Sequence, residues 1–501
     1  MACRAISMKE ISQTPTLGSL TLDPDSWEDF ATLSHRMVDS MIEHLRSLGA
    51  GSAWTESPDS IRRLIVQEPL PMLGQGEEAV FEQFLSDVLP FGTSNSDPRF
   101  YGWVQGNGTV LGMMADMLAS GMNPHLAGFN QNPVAVEQKV IDWLRELMGF
   151  PVGSSGILLS GGSMANVTAL IVARNTKAGF DVRQEGLQGG DRPLLTVYGT
   201  SETHSWAKKG VEALGLGDRS FRRVATHPDF TMDIDALREA VAIDRANGCL
   251  PIAVIATAGT VNTGATDDLN ALADYCCHES IWLHVDGAFG ALAALSPRQK
   301  HLVKGLDRAD SVAFDLHKWM YLPFEIACLI VRDGSAHRNS FSVDASYIAP
   351  LERGVIKGGQ TFAELGLELT RGFKALKAWM SLKAYGVEKF AALIEQNVDQ
   401  AQYFAERVRN EPDLELMAPV PLNVVCFRFV SSGMDTDGFN RVNKELLFRI
   451  QERGIAVPSS TVLGGAFCLR VCLVNHRTRQ EDLDDLVEAA VRIGNEILVE
   501  R

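Results

Sequence analysis

From Trp27 the apolar positions Trp27, Phe30, Leu33, Met37, Met41, Leu45 and Leu48 fall three or four residues apart, which places them on one face of a helix. Asp23 or Asp25 stands where a cap would start that helix, and Gly49 where it would end. A proline-rich crossing follows, Glu68-Pro69-Leu70-Pro71, then a second helical stretch over roughly 77–88. Residues 1–22 carry no such pattern and read as a loose arm. The segment 1–90 is helical but too thin to enclose a core of its own. It is expected to pack on a partner surface.

From 91 to about 375 the pattern changes to short apolar runs alternating with helical ones. Runs at 156–160, 194–198, 252–257, 281–285 and 311–314 are bounded by Gly, Asp or Ser. Apolar runs this short predict buried strands of a largely parallel sheet, covered by helices on both faces. In such an α/β layer, ligands are expected beyond the carboxyl ends of the strands. From 376 a long helix runs to about 409. It is followed by a strand at 423–430, a helix near 436–453, a strand at 467–474 and a terminal helix from about 480. That last segment, 376–501, reads as a small α+β domain, and 91–375 as the large one.

Composition narrows the classes. The chain has 501 residues, 46% hydrophobic and 22% charged, as in an ordinary globular protein. With 46 Lys plus Arg against 62 Asp plus Glu, the formal net charge is −16. An acidic balance argues against nucleic acid or an anionic membrane as partner. No apolar run is long enough to span a bilayer, and the first ten residues lack the apolar core of a secretory signal. The eight cysteines form no CxxC pair, and Cys276-Cys277 is vicinal. They read as reduced thiols of a cytoplasmic protein, with no metal cluster.

Chemistry enters at two strand ends. Past the run 311–314 stands His317-Lys318-Trp319. About 30 residues upstream, the run at 281–285 leads into Asp286-Gly287-Ala288. A lone lysine after a strand is ordinarily a solvated loop residue, and an aspartate there an ordinary turn residue. Together they are the pair that pyridoxal phosphate chemistry needs. The lysine amine holds the cofactor aldehyde as a Schiff base, and the carboxylate keeps the pyridine nitrogen protonated. Ser160-Gly161-Gly162-Ser163 runs from a strand into a helix, where glycines admit an anion and the helix start supplies free N–H groups. Ser163 adds a hydroxyl. His204, near the start of a helix, offers an imidazole face to stack on a ring. Small residues at 257–264, Thr260 among them, leave room for a flat cofactor, as does Ala288 beside Asp286.

These motifs, SGGSMAN, SETHS, HVDGAFGA and SVAFDLHKW in this order, resemble the group II pyridoxal-phosphate-dependent amino-acid decarboxylases. That family includes aromatic-L-amino-acid, glutamate, histidine and diaminobutyrate decarboxylases. The resemblance covers roughly residues 25–495. It implies the fold-type I transferase fold, with a mostly parallel seven-stranded sheet between helices. It also implies a homodimer whose N-terminal helices clasp the partner and whose active sites are shared.

Carried over by position, Lys318 becomes the Schiff-base lysine, Asp286 the partner of the pyridine nitrogen and His204 the stacking ring. Gly162 and Ser163 become the phosphate turn, and His317 a contact near the phosphate. Arg470, inside the apolar strand near 467–474, matches an arginine that holds a substrate carboxylate or a closed loop. An arginine so placed wants a buried anion. Tyr347, in a loop 29 residues beyond Lys318, matches the tyrosine that returns a proton to the substrate carbon. Relatives with phenylalanine there tend toward aldehyde formation, so Tyr347 favours plain decarboxylation.

Two departures stand out. The family often has Asn-Pro before His-Lys, where this chain has Asp315-Leu316. A carboxylate on the phosphate side is unhelpful, so Asp315 is expected to point elsewhere or to pair with a cation. The run Phe100 to Gly108 also differs, with Val104 and Gln105 where aromatic-acting members carry aromatic and proline residues. Trp103 suits an aromatic substrate, whereas Gln105 and Asn107 suit a polar or acidic one such as glutamate, aspartate or diaminobutyrate. The expectation is a decarboxylase of an L-amino acid, leaning to aromatic. The alternatives are a decarboxylating aldehyde synthase and a decarboxylase of acidic or polar amino acids.

Overall fold

The computed structural model describes residues 20–343, 352–357 and 361–500. Most of the expected loose arm lies outside them. The first helix runs Trp27–Arg46, and its cap is Ser26, whose hydroxyl accepts the Asp29 N–H at 3.2 Å. Neither Asp23 nor Asp25 plays that part, because the free donors of a first turn are reached from the residue directly before it. A further helix, Asp59–Gln67, precedes the proline-rich crossing and was not expected.

Among the described residues, twelve strands form two sheets. In chain order they are β1 (Phe100–Tyr101), β2 (Ser155–Leu159), β3 (Leu195–Thr200), β4 (Phe221–Val224), β5 (Leu250–Thr257), β6 (Trp282–Asp286), β7 (Ser311–Asp315), β8 (Ala327–Val331), β9 (Leu414–Leu416), β10 (Val424–Phe429), β11 (Val457–Leu463) and β12 (Ala466–Cys472). The large sheet has the order β2-β8-β7-β6-β5-β3-β4. Its β3, β4, β5, β6 and β7 pair in parallel, and only β8 runs against its neighbours β2 and β7. β6, β7 and β8 are buried at every residue, as the near-continuous apolar runs require of strands covered on both faces. The helix Gly162–Lys177 lies across β5 to β8 and covers one face.

The small sheet has the order β1-β11-β12-β10-β9 and is antiparallel except where β1 joins β11. Phe100 and Tyr101 thus pair with Val457 and Pro458, tying the residues that follow them to the C-terminal sheet. The segment Ala375–Asn410 leads into this region and breaks at Gly386, whose φ of 74° no helix interior tolerates. The terminal helix Gln480–Val499 packs on the small sheet's core through Leu483, Leu486, Val487, Ala490 and Ile493.

Because β3, β5, β6 and β7 are parallel, their carboxyl ends share one edge. Thr257 ends β5 directly beside Asp286 at the end of β6, and Asp286 pairs in register with Ala313 in β7. The expected ligand edge is therefore one place, assembled from strand ends as far apart in the chain as Ser160 after β2 and Lys318 after β7.

Candidate active site

A cavity of about 460 Å³ opens at that edge. Among its lining residues are Gly162, Ser163, His204, Asp286, Ala288 and Lys318, which the sequence had nominated, together with Trp103. The structure thus brings together residues from four strand ends and the 103–108 loop.

Lys318 lies in the single helical turn Leu316–Trp319 that follows β7. The 103–108 loop packs directly on it, and a Cβ on Gly106 would lie 1.5 Å from the His317 carbonyl oxygen. Only glycine allows this approach. Lys318 Nζ is 2.7 Å from Asp315 Oδ2, so Asp315 pairs with a cation as expected. The same carboxylate lies under the glycine turn, 2.8 Å from where a Cβ on Gly162 would sit.

Asp286 is 3% exposed, and both its oxygens are held. Oδ1 accepts the Ala288 N–H at 3.2 Å, and Oδ2 accepts the indole N–H of Trp206 at 2.6 Å. Behind it, the buried His284 bonds Asn166 Oδ1 at 2.7 Å and Ser311 Oγ at 2.9 Å. Burial pulls the His284 ring down to about 4, so it is a neutral strut at ordinary pH. His204 precedes the helix Trp206–Ala213, and its Nδ1 accepts the Trp206 N–H at 3.2 Å. Partial loss of solvent lowers its pKa; Asp286 opposes that shift and the Lys318 ammonium adds to it.

Several nominated residues stand elsewhere. Thr260 does not line the cavity. Its hydroxyl bonds Thr263 Oγ1 at 3.0 Å and accepts the Ala265 N–H at 3.1 Å, which closes the turn after β5. The residue at the cavity is Thr257, whose buried hydroxyl has no partner among the described residues. Gln105 does not line the cavity either, and Asn107 is buried against Asn475. His317 lies beneath the turn, its Nδ1 2.9 Å from the Ile326 carbonyl oxygen and its ring 3.8 Å from a Cβ built on Gly161.

Arg470 is 2% exposed but meets no buried anion among the described residues. Nη1 donates to the Trp103 carbonyl at 2.7 Å, and Nε to the Asn262 carbonyl at 3.3 Å. Carbonyl oxygens take the place of the carboxylate that the sequence led one to expect. Trp103, at a positive φ of 50°, is also held by its own N–H, which donates to Ser459 Oγ at 3.1 Å. Arg470 therefore braces the cavity wall from the C-terminal sheet. Tyr347 lies outside the described residues.

Sequence reasoning missed Trp206, Thr257, Glu202 and Glu325 at this site. Glu202 accepts from Asn262 Nδ2 at 3.0 Å, and Glu325 pairs with Lys374 at 3.3 Å. The one signal for Thr257 was its place as the last residue of an apolar run.

The residues present fit pyridoxal phosphate. The glycine turn at the start of a 16-residue helix has room for an anion and no side-chain cap. A fixed carboxylate, an unpartnered hydroxyl and a primary amine face one cavity.

A fold of this class with such a site defines a pyridoxal-phosphate enzyme, and comparison with known proteins narrows it. The chain matches the pyridoxal-dependent decarboxylase conserved domain over residues 58–430 and belongs to that family. It is 33% identical to an aromatic-L-amino-acid decarboxylase of Bacillus atrophaeus over 477 residues, 95% of this chain and 97% of that one. It is 28% identical to tyrosine decarboxylase 4 of Petroselinum crispum, over 94% of this chain and 96% of that one. Its fold matches Oryza sativa TDC, solved with PLP and tryptamine, at a TM-score of 0.87 and 24% identity, covering 95% of this chain and 100% of the other. It also matches the glutamate decarboxylase domain of a Vibrio parahaemolyticus diaminobutyrate-pyruvate transaminase and L-2,4-diaminobutyrate decarboxylase, at 0.83 and 25%, with 95% and 97% covered. The protein is a pyridoxal-phosphate-dependent amino-acid decarboxylase.

Proposed function

We propose that the protein removes the carboxylate of an aromatic L-amino acid, giving the primary amine and carbon dioxide. The observation that carries this reading is that Lys318, Asp286 and Trp103 line one cavity, with Trp103 54% exposed. When bound, pyridoxal phosphate supplies a ring that accepts the electron pair left at the α-carbon. Lys318 is its attachment point. Asp286, held by Trp206 and Ala288, fixes a negative charge for the protonated ring nitrogen, a preorganised electrostatic contribution. Gly162 and Ser163 receive the phosphate, and the free Thr257 hydroxyl offers the cofactor a hydrogen bond. His204 presents its ring for stacking. Tyr347 remains the proposed donor of the proton that returns to the α-carbon.

Two observations favour an aromatic over an acidic substrate. The curated relatives above act on aromatic amino acids by name. Glu202, Asp286, Asp315 and Glu325 line the cavity together with Lys318, a balance that opposes a second side-chain carboxylate. Carbon dioxide release across the L-amino acids, L-DOPA and 2,4-diaminobutyrate tests the reading, with peroxide measured in parallel. Amine equal to carbon dioxide from aromatic substrates, without peroxide, is expected. Comparable efficiency on glutamate or aspartate would overturn the aromatic assignment, and stoichiometric peroxide would favour the aldehyde route.

The active form in this reading is a homodimer with shared sites. Trp27 (64% exposed), Leu64, Val66, Leu70 and Met72 leave the N-terminal segment with an uncovered apolar surface, which a second copy would bury. Light scattering that gives a monomer mass at micromolar concentration would refute it. No helix among the described residues is long and apolar enough to cross a membrane.

A further inference from the structure

Asp315 ends β7 with a carboxylate that is 2% exposed. The ordinary task of an aspartate there is to cap the following helix, yet its side chain makes no capping bond to the turn Leu316–Trp319. Its backbone is already fixed, since the Asp315 N–H donates to the Ala288 carbonyl at 2.9 Å. Oδ1 is buried without a hydrogen-bond partner among the described residues. A carboxylate left half-satisfied in the interior costs stability. Oδ2 forms a close ion pair with Lys318 Nζ, at 2.7 Å.

An ammonium has no lone pair, so Lys318 must give up a proton before it bonds to an aldehyde. We propose that Asp315 is the base that takes the proton from Lys318 Nζ and the acid that returns it when the lysine is released. Of the three protons on Nζ, one passes to Asp315 Oδ2. The other two leave with the aldehyde oxygen as water while nitrogen forms its bonds to carbon. Charge balances, because an ammonium and a carboxylate become two neutral groups. Asparagine often stands at this place in the group II pattern, so the base is a feature of this chain.

The titratable neighbours do not compete for this task. His317 Nε2 stands 3.7 Å away, beyond hydrogen-bond reach, and its pKa is lowered by burial. His204, Asp286 and Glu325 belong to the other sides of the cavity, and the turn above presents only Gly162. The inference rests on the placement of Lys318 as the attachment point.

The test mixes cofactor-stripped protein with pyridoxal phosphate, traps the attached fraction with borohydride at set times, and locates it by peptide mass across pH. Asp315→Asn keeps the shape against Gly162 and removes the base. Attachment at pH 7 is expected to slow by about ten-fold or more. Its pH profile should move upward, where solvent hydroxide can take the proton. Pyridoxamine phosphate, which has no aldehyde, should bind as in the unsubstituted protein. An unchanged rate and profile in Asp315→Asn would overturn the proposal. So would loss of pyridoxamine phosphate binding, which would assign Asp315 to shaping the turn. Absence of trapped cofactor on Lys318 in the unsubstituted protein would instead remove the placement of Lys318, and this inference with it.

Discussion

The indole N–H of Trp206 donates to Asp286 Oδ2 at 2.6 Å, across 80 residues of chain. With Ala288 on the other oxygen, the carboxylate cannot rotate, and its charge stays aimed at one point of the cavity. A hydrogen bond to a charged group contributes about 1.5–3 kcal/mol. Trp206→Phe keeps the buried ring beside His284 and removes the donor. It is expected to lower kcat by about ten-fold and to change the pH dependence of the cofactor's absorbance. An unchanged spectrum and kcat would make Trp206 a packing residue only.

Gly106→Ala places a methyl against the His317 carbonyl, within 1.5 Å of the oxygen. Backbone must move on one side or the other, and Lys318 is the next residue. Misplacement by about an ångström costs on the order of 100-fold in rate. Steady-state kinetics and a thermal melt check it together: kcat should collapse while the melting temperature falls only modestly.

Arg470→Lys loses the planar fork that joins the Trp103 and Asn262 carbonyls. Trp103 would then lean on Ser459 alone among these braces. The expected outcome is KM raised several-fold for the aromatic substrate, with a smaller change in kcat. Arg470 acts through Trp103, so a loss confined to kcat would refute the bracing role.

His284 and His337 are both buried, and burial pulls each to about 4. His337 bonds Ser155 Oγ at 2.6 Å and the Leu365 carbonyl at 2.8 Å as a neutral ring. Unfolded, each would bind a proton near its usual 6.5. Between about 6.5 and 4 the unfolded chain therefore holds more protons, and stability falls as pH falls, by up to about 1.4 kcal/mol per group for each pH unit. Melting temperature should drop steadily over that window. His337→Gln should flatten the drop, and an equally steep profile in that variant would sink the assignment.

Lys318 and Asp286 were legible because each follows a short apolar run, and strand ends in a parallel sheet share an edge. β1, β4, β8, β9 and β11 lie outside the apolar runs that the sequence reading named. β11 carries Pro458, Ser459 and Ser460 within seven residues, so its alternation is weak, and its partners β1 and β12 supply the pairing. Thr257 was overlooked for Thr260, three residues on, because chain position does not say which hydroxyl a turn consumes.

The sheet type, the family, the anion turn and the lysine–aspartate pair are legible along the chain, since these follow from local periodicity and from residue types at strand ends. What braces them emerges on folding. Trp206 on Asp286, Asp315 on Lys318 and Arg470 on Trp103 depend on which side chains the fold turns toward one another. Hydrogen bonds form by distance in space, and spacing along the chain does not encode it.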